Sequence, residues 1–132
     1  MPTITNSKIA IALDLPGNKA KVTVTAQVRF STFELFLMKN GLRFSLGCNV
    51  WGEDMGQGNW LNADDFIFSY ATKFFPDSTP TAVEPVKFEA TVNRSILDED
   101  LGTDEIYGQL TLKNLHDNAM VKAKTNVVTH SF

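Results

Sequence analysis

The stretch that decides the fold reads VKFEATVNRSI (residues 86–96), LDEDLGTDE (97–105) and IYGQLTL (106–112). In its first arm, apolar residues alternate with polar ones from Val86 to Ile96. In its second arm, Ile106, Leu110 and Leu112 alternate with polar neighbours. A period of two is typical of a strand with one buried and one solvated face. The stretch therefore predicts a strand, an acidic turn and a second strand.

The same alternation extends over most of the chain. It recurs at 9–15, 20–30, 42–50, 66–74 and 121–127, with turn residues such as Pro16-Gly17-Asn18 between the runs. Strands without intervening helices bury their apolar faces by packing two sheets together. The sequence therefore predicts an all-β fold: one domain over 1–132, an antiparallel β-sandwich of about seven strands, immunoglobulin-like or a similar Greek key.

One segment changes period and predicts a short helix at 32–39. Ser31 and Glu34 have the spacing of a capping box, and Gly41 supplies a stop signal. Three apolar residues have the i, i+3, i+4 spacing of one helical face: Phe33, Phe36 and Leu37. A strand at 33–38 is the alternative, because FELFLM is apolar enough for either.

Composition limits the classes of function. The net charge is -3, so the chain lacks the excess of Lys and Arg that is typical of nucleic-acid-binding proteins, and nucleic acid is not an expected partner. No apolar run approaches a bilayer span, and the N-terminus lacks the pattern of a signal peptide. Cys48 is the only cysteine, and its apolar strand phase predicts a buried, inert thiol. These features predict a protein that is cytoplasmic or exported without a cleaved signal, and not transmembrane.

The predicted strand directions bring acidic segments together. Strands at 42–51 and 86–96 run one way and those at 66–74 and 106–112 the other, so the connections 52–65 and 97–105 leave the same end. Nine of the fifteen carboxylates then gather there: Glu53, Asp54, Asp64, Asp65, Asp98, Glu99, Asp100, Asp104 and Glu105. The only tryptophans, Trp51 and Trp60, belong to the same end.

Converging carboxylates can coordinate a hard cation, so calcium is the one cofactor that the pattern indicates. The candidate metal ligands are Asp98, Asp100, Asp104, Asp64 and Asp65. The run DEDLGTDEIYG at 98–108 resembles the third calcium loop of the synaptotagmin-type calcium- and phospholipid-binding domains. The resemblance covers about a dozen residues, and the later Asp departs from that spacing, so we do not assign the family. A solvated acidic turn is the alternative.

The tryptophans provide a second candidate site. Trp51 and Trp60 could stack on a sugar or another flat ligand, whereas the alternative is that both pack under the loop. No phosphate-binding loop, nucleophile elbow or zinc spacing is present, so we do not expect an enzyme.

Partner binding is the remaining hypothesis. The chain has ten phenylalanines, and several apolar residues fall on the polar phase of their strands: Ile67, Ala71, Phe75, Met120 and Val128. Exposed apolar area marks a partner surface, and sandwich edges invite strand addition. The sequence therefore favours a non-enzymatic binding or assembly module that acts through protein–protein contacts, including self-association. Calcium-dependent ligand binding and carbohydrate binding are the alternatives.

Overall fold

The computed structural model describes residues 1–53, 65–98, 104–130 and 132. Nine strands, one α-helix and one 3₁₀ helix at Arg94–Leu97 follow one another in this part of the chain. The elements are β1 (Thr3–Leu15), β2 (Lys19–Arg29), α1 (Thr32–Lys39), β3 (Phe44–Gly52), β4 (Asp65–Ser69), β5 (Lys73–Phe75), β6 (Val83–Asn93), β7 (Asp104–Asn114), β8 (Met120–Lys124) and β9 (Val128–His130).

The strands form two antiparallel sheets, as expected for a β-sandwich. One sheet has the order β1-β2-β6, and the other has the order β4-β3-β7-β8, with β5 beside β3 and β9 beside β7. Strands β3 and β7 lie at the centre of the larger sheet and pair over nine residues, from Phe44 opposite Asn114 to Gly52 opposite Ile106. The predicted all-β sandwich is therefore confirmed.

The two-residue alternation of the sequence becomes a burial pattern. In β2 every second residue from Ala20 to Val28 is buried, and in β3 the same holds from Phe44 to Gly52. The apolar faces of these strands meet between the sheets, where removal of apolar surface from water drives folding. Cys48 belongs to this core at 1% exposure, as predicted.

Strand β1 links the two sheets along one side. The Asn126 carboxamide accepts a hydrogen bond from the backbone N–H of Ile9 at 2.9 Å and donates one to its carbonyl at 3.2 Å. The Ser7 hydroxyl donates to the Lys124 carbonyl at 3.1 Å. An amide side chain thus satisfies the backbone groups of β1 where a neighbouring strand would otherwise do so.

Several predictions of side-chain phase are wrong, because strands break where the sequence suggests continuity. Ile67, which the sequence places outside, packs against the core, and Phe66, which it places inside, is exposed. The run 66–74 splits into β4 and β5, so Phe75 is buried at 4% exposure and Phe74 is exposed at 47%. Val128 is half-buried against the core because β8 ends at Lys124 and a separate strand, β9, begins at Val128. Ile96 lies in the 3₁₀ helix and is exposed, whereas its neighbour Leu97 is buried.

Candidate functional site

Helix α1 presents its apolar stripe to solvent. The helix packs on the sandwich through Glu34 and Met38, both buried, whereas Phe33 is 67% exposed and Phe36 is 60% exposed. On a helical wheel these two phenylalanines lie opposite the buried pair, because 100° separates consecutive residues. The predicted stripe therefore exists, but it is a surface feature.

The ends of α1 are fixed by hydrogen bonds. The Ser31 hydroxyl accepts from the Glu34 backbone N–H at 3.1 Å, and the Glu34 carboxylate accepts from the Ser31 backbone N–H at 2.8 Å. The predicted capping box is thus present, and the helix has the predicted bounds. At the other end the Asn40 amide donates to the Phe36 carbonyl at 2.8 Å.

A groove lies beside the exposed stripe. It has a volume of about 530 Å³ and runs between Leu37 and Leu42 on one side and Leu115 and His116 on the other. Backbone hydrogen bonds from Leu42 to the Leu37 carbonyl and from Leu115 to the Arg43 carbonyl, both 3.0 Å, fix its walls.

We call this region the helix-end surface. Its apolar members are Phe33, Phe36, Leu37, Leu42 and Leu115. The Arg43 guanidinium lies 5.9 Å from the ring centre of Phe74 and extends the surface towards β5. Sequence reasoning found the phenylalanines of this surface but missed Leu115, whose place depends on the turn between β7 and β8.

The opposite end of the sandwich holds the described members of the predicted acidic cluster. Gly52 pairs with Asp65 on one side and with Ile106 on the other, so the described ends of the two acidic segments lie side by side. The Glu53 backbone N–H donates to the Glu105 carbonyl at 2.7 Å. We call this region the acidic end; its described surface carboxylates are Glu53, Asp65, Asp98 and Glu105.

The five candidate metal ligands have different environments. Asp65 and Asp98 are exposed, but Asp104 is buried at 2% exposure within β7, opposite His130. Asp64 and Asp100 lie outside the described residues. Within the described residues no three His, Cys, Asp or Glu side chains form a group that could hold a metal ion. Calcium binding stays a prediction.

A lysine that sequence reasoning missed lies at the acidic end. The Lys124 ammonium is 3.6 Å from the Glu53 carboxylate and 4.1 Å from the ring centre of Tyr107. Residues 53 and 124 are far apart in the sequence, so only the pairing of β7 with β8 reveals the contact.

Trp51 is half-buried and packs edge-on against Phe66, with ring centres 5.6 Å apart and planes at 75°. Rings at this angle do not form the flat platform on which a sugar stacks, and the packing alternative accounts for the contact. Trp60 lies outside the described residues. Carbohydrate binding therefore stays a prediction.

Two acidic groups on the core side, one buried and one half-buried, have raised pKa values. Burial raises the pKa of the Cys48 thiol to about 12, so the sulfur stays protonated and is a poor nucleophile near neutral pH. Burial also raises the pKa of Tyr70, with smaller contributions from Cys48 and Glu89.

Comparison with known proteins provides no assignment. No protein-family model, curated protein or solved structure matches the chain. Within the described residues no helix is long and apolar enough to cross a membrane. Function must therefore be inferred from the two ends and the faces of the sandwich.

Proposed function

We propose that the protein is a non-enzymatic binding or assembly module that acts through protein–protein contacts at the helix-end surface. The observation that carries the proposal is the outward orientation of Phe33 and Phe36 on a helix capped at both ends. Phe33 and Phe36 lie on the same face of the helix, and each is more than half exposed, so their apolar surface is in contact with water. A partner that covers this surface would remove it from water.

The rigidity of the surface supports the proposal. Binding costs free energy when side chains and loops must be ordered, and the backbone of a capped helix is already ordered before binding. The groove beside α1 provides a concave apolar surface next to the projecting rings. Aromatic anchors beside such a surface are the usual centre of a protein interface.

Strand addition at a sheet edge is less well supported. In the described part of the chain β6 pairs with β2 alone, but its exposed residues include Pro85, Lys87 and Glu89. Proline and charged side chains on an edge disfavour pairing with a further strand. The larger sheet ends in short, interrupted strands, β4 with β5 and β8 with β9.

The proposed partner is another protein or a second copy of this chain. The site of action, in the cytoplasm or after export without a cleaved signal, remains the expectation from the sequence.

Sedimentation at increasing protein concentration in 0.5 M NaCl tests the contact, because this salt screens charge pairs but not apolar contacts. We expect concentration-dependent association that is lost in the double variant Phe33→Ser, Phe36→Ser. Phe66→Ser is the matched control, since Phe66 is 54% exposed at the opposite end. Equal association of the double variant and the wild type would contradict the proposal.

A further inference from the structure

The outer face of the β1-β2-β6 sheet concentrates positive charge on an acidic protein. Five of the twelve basic residues of the chain project from it, with one of the fifteen acidic residues, among the described side chains. The basic residues are Lys8, Lys19, Lys21, Arg29 and Lys87, and the acidic one is Glu89. We call this surface the basic face.

The strand register places two of these lysines around a shallow groove. Lys8 and Lys87 are the direct neighbours of Thr25 on either side, because β2 lies between β1 and β6. The groove has a volume of about 620 Å³, and Gln27 and Pro85 continue it along the strands. Lysines in the strands on both sides of Thr25 line the groove, and a positively charged lining suits a carboxylate.

The charges of the basic face are not balanced on the face itself. The Glu89 carboxylate forms ion pairs with the ammonium groups of both Lys21 and Lys87, each at 3.3 Å, so one carboxylate is shared between two lysines. Hydrogen bonds from Lys87 and then Lys21 lower the pKa of Glu89, which keeps it ionised. Among the described residues Lys8 and Arg29 form no ion pair with a carboxylate.

The acidic end has the complementary excess. Asp65 and Asp98 are exposed there, and neither forms an ion pair with a basic residue among the described side chains. Lys87 and Asn93 are six residues apart on β6, which is roughly 20 Å along a strand, and Asp98 follows beyond Asn93. Asp98 of one molecule therefore lies far from the Lys8–Lys87 groove of the same molecule.

We propose that the basic face binds the acidic end of a second copy of this chain. The inference rests on the proposed assembly function but uses surfaces distinct from the helix-end surface. Each copy has both a basic face and an acidic end, and the two differ, so the contact is heterologous and can continue from copy to copy. Opposite charges concentrated on the two surfaces orient the encounter and set the register.

A polyanion such as nucleic acid fits the basic face less well. The chain has a net charge of -3, which repels a polyanion at long range. The described outward side chains of β1, β2 and β6 include no aromatic ring on which a base could stack.

Two charge-reversed variants test the proposal. Lys8→Glu with Lys87→Glu reverses the charge of the groove on the basic face and keeps the acidic end. Asp65→Lys with Asp98→Lys reverses charge at the acidic end and keeps the basic face. All chains in this test also carry Phe33→Ser and Phe36→Ser, which removes the helix-end contact. In 50 mM NaCl we expect the chain with unreversed charges to form species that grow with concentration, and each charge-reversed variant alone to sediment as a monomer. An equimolar mixture of the two variants should form a heterodimer and nothing larger, because only one productive contact is available.

Salt and control variants complete the test. In the Phe33→Ser, Phe36→Ser background, raising NaCl to 0.5 M should weaken the association of the chain with unreversed charges about tenfold or more, since the contact is between exposed charges. Lys39→Glu with Lys122→Glu makes the same charge change away from both surfaces and should associate like the chain with unreversed charges. Circular dichroism of every variant verifies that the fold is intact.

The outcomes separate this inference from the proposed function. If Phe33→Ser with Phe36→Ser abolishes association in 0.5 M NaCl while charge reversal has no effect in 50 mM NaCl, the inference is wrong and the helix-end surface stands. If the mixture of reversed variants stays monomeric, the inference is also wrong. A wild type that is monomeric in 50 mM NaCl and binds heparin or an oligonucleotide through Lys8 and Lys87 would overturn it in favour of a polyanion.

Discussion

The phenolic hydroxyl of Tyr70 donates a hydrogen bond to the backbone carbonyl of Val22, 2.7 Å away in the opposite sheet. The Tyr70 backbone N–H donates to the Cys48 carbonyl at 2.9 Å, which fixes the residue to β3. Its ring packs between Phe68 and Phe88, with ring centres 5.2 and 5.4 Å away. Tyr70 therefore joins the two sheets on the side opposite the β1 contact.

We expect Tyr70→Phe to lower the free energy of unfolding by about 1 kcal/mol, because the change removes one hydrogen bond and keeps the ring contacts. Urea denaturation monitored by fluorescence measures the difference. Ser69→Ala, at an exposed neighbouring position, is the control and should change little. If the Tyr70→Phe variant were as stable as the wild type, the hydrogen bond would contribute nothing net.

The stability of the protein should fall in alkali because of Cys48. Its pKa in the folded state is about 12, above the ordinary value of 9.0, so an unfolded chain releases this proton first. The contribution of the buried thiol is thus complete below pH 9.0 and is lost as the pH rises towards 12. Between these limits the free energy of unfolding should fall by up to about 1.4 kcal/mol per pH unit.

Urea denaturation at pH 7, 8, 9 and 10 tests this dependence. Cys48→Ala should show a smaller loss between pH 8 and 10, whatever its stability at neutral pH, since the comparison uses slopes. Tyr70→Phe should keep the loss over this interval, because an ordinary tyrosine titrates near 10.0. Equal slopes for Cys48→Ala and the wild type would show that the thiol is not responsible.

The sequence predicts those features that depend on neighbours along the chain. The alternation from Ala20 to Val28 predicted both β2 and its buried face, and Ser31 with Glu34 predicted where α1 begins. Side-chain phase failed where a strand breaks, as between β4 and β5, because a break shifts every later residue to the other face. Phe75 was placed outside for this reason.

The helix-end surface and the basic face could not be predicted from residues that are neighbours along the chain. The spacing of Phe33, Phe36 and Leu37 defines a stripe, but spacing alone does not show whether the stripe meets the core or the solvent. The net charge of -3 is a sum over the whole chain, so it gave no indication that basic residues collect on one face of the β1-β2-β6 sheet. Lys8 and Lys87 become neighbours of Thr25 only through the pairing of β1 and β6 with β2.

The capping box makes a specific contribution to α1. We expect Ser31→Ala to lower the free energy of unfolding by about 1 kcal/mol, because the Glu34 backbone N–H loses its acceptor. Thr32→Ala is the control, since the Thr32 side chain is exposed at the first helical position. A similar loss in both variants would indicate a general effect on the helix start rather than loss of the cap.

The last prediction concerns the close approach of the two sheets at Gly108. A Cβ atom there would lie 3.1 Å from Cγ2 of Val24 and 3.3 Å from Cγ2 of Thr125, both closer than ordinary van der Waals contact. Neither neighbour moves easily: Val24 is buried in the core, and the Thr125 hydroxyl accepts from the Gly108 backbone N–H at 2.8 Å. We expect Gly108→Ala to lower the free energy of unfolding by about 1–3 kcal/mol.

Gly47→Ala provides the matched control for this strain. Gly47 lies in β3, the strand beside β7, and a Cβ atom there would have no other atom within 4 Å. Alanine at that position should leave stability unchanged or raise it by roughly 0.5–1 kcal/mol, since glycine loses more backbone entropy on folding. In thermal and urea denaturation, Gly108→Ala should therefore be less stable than the wild type, and Gly47→Ala should be as stable as the wild type or more stable. Equal stability of the two variants would show that the sheets can move apart at Gly108 to accommodate a methyl group.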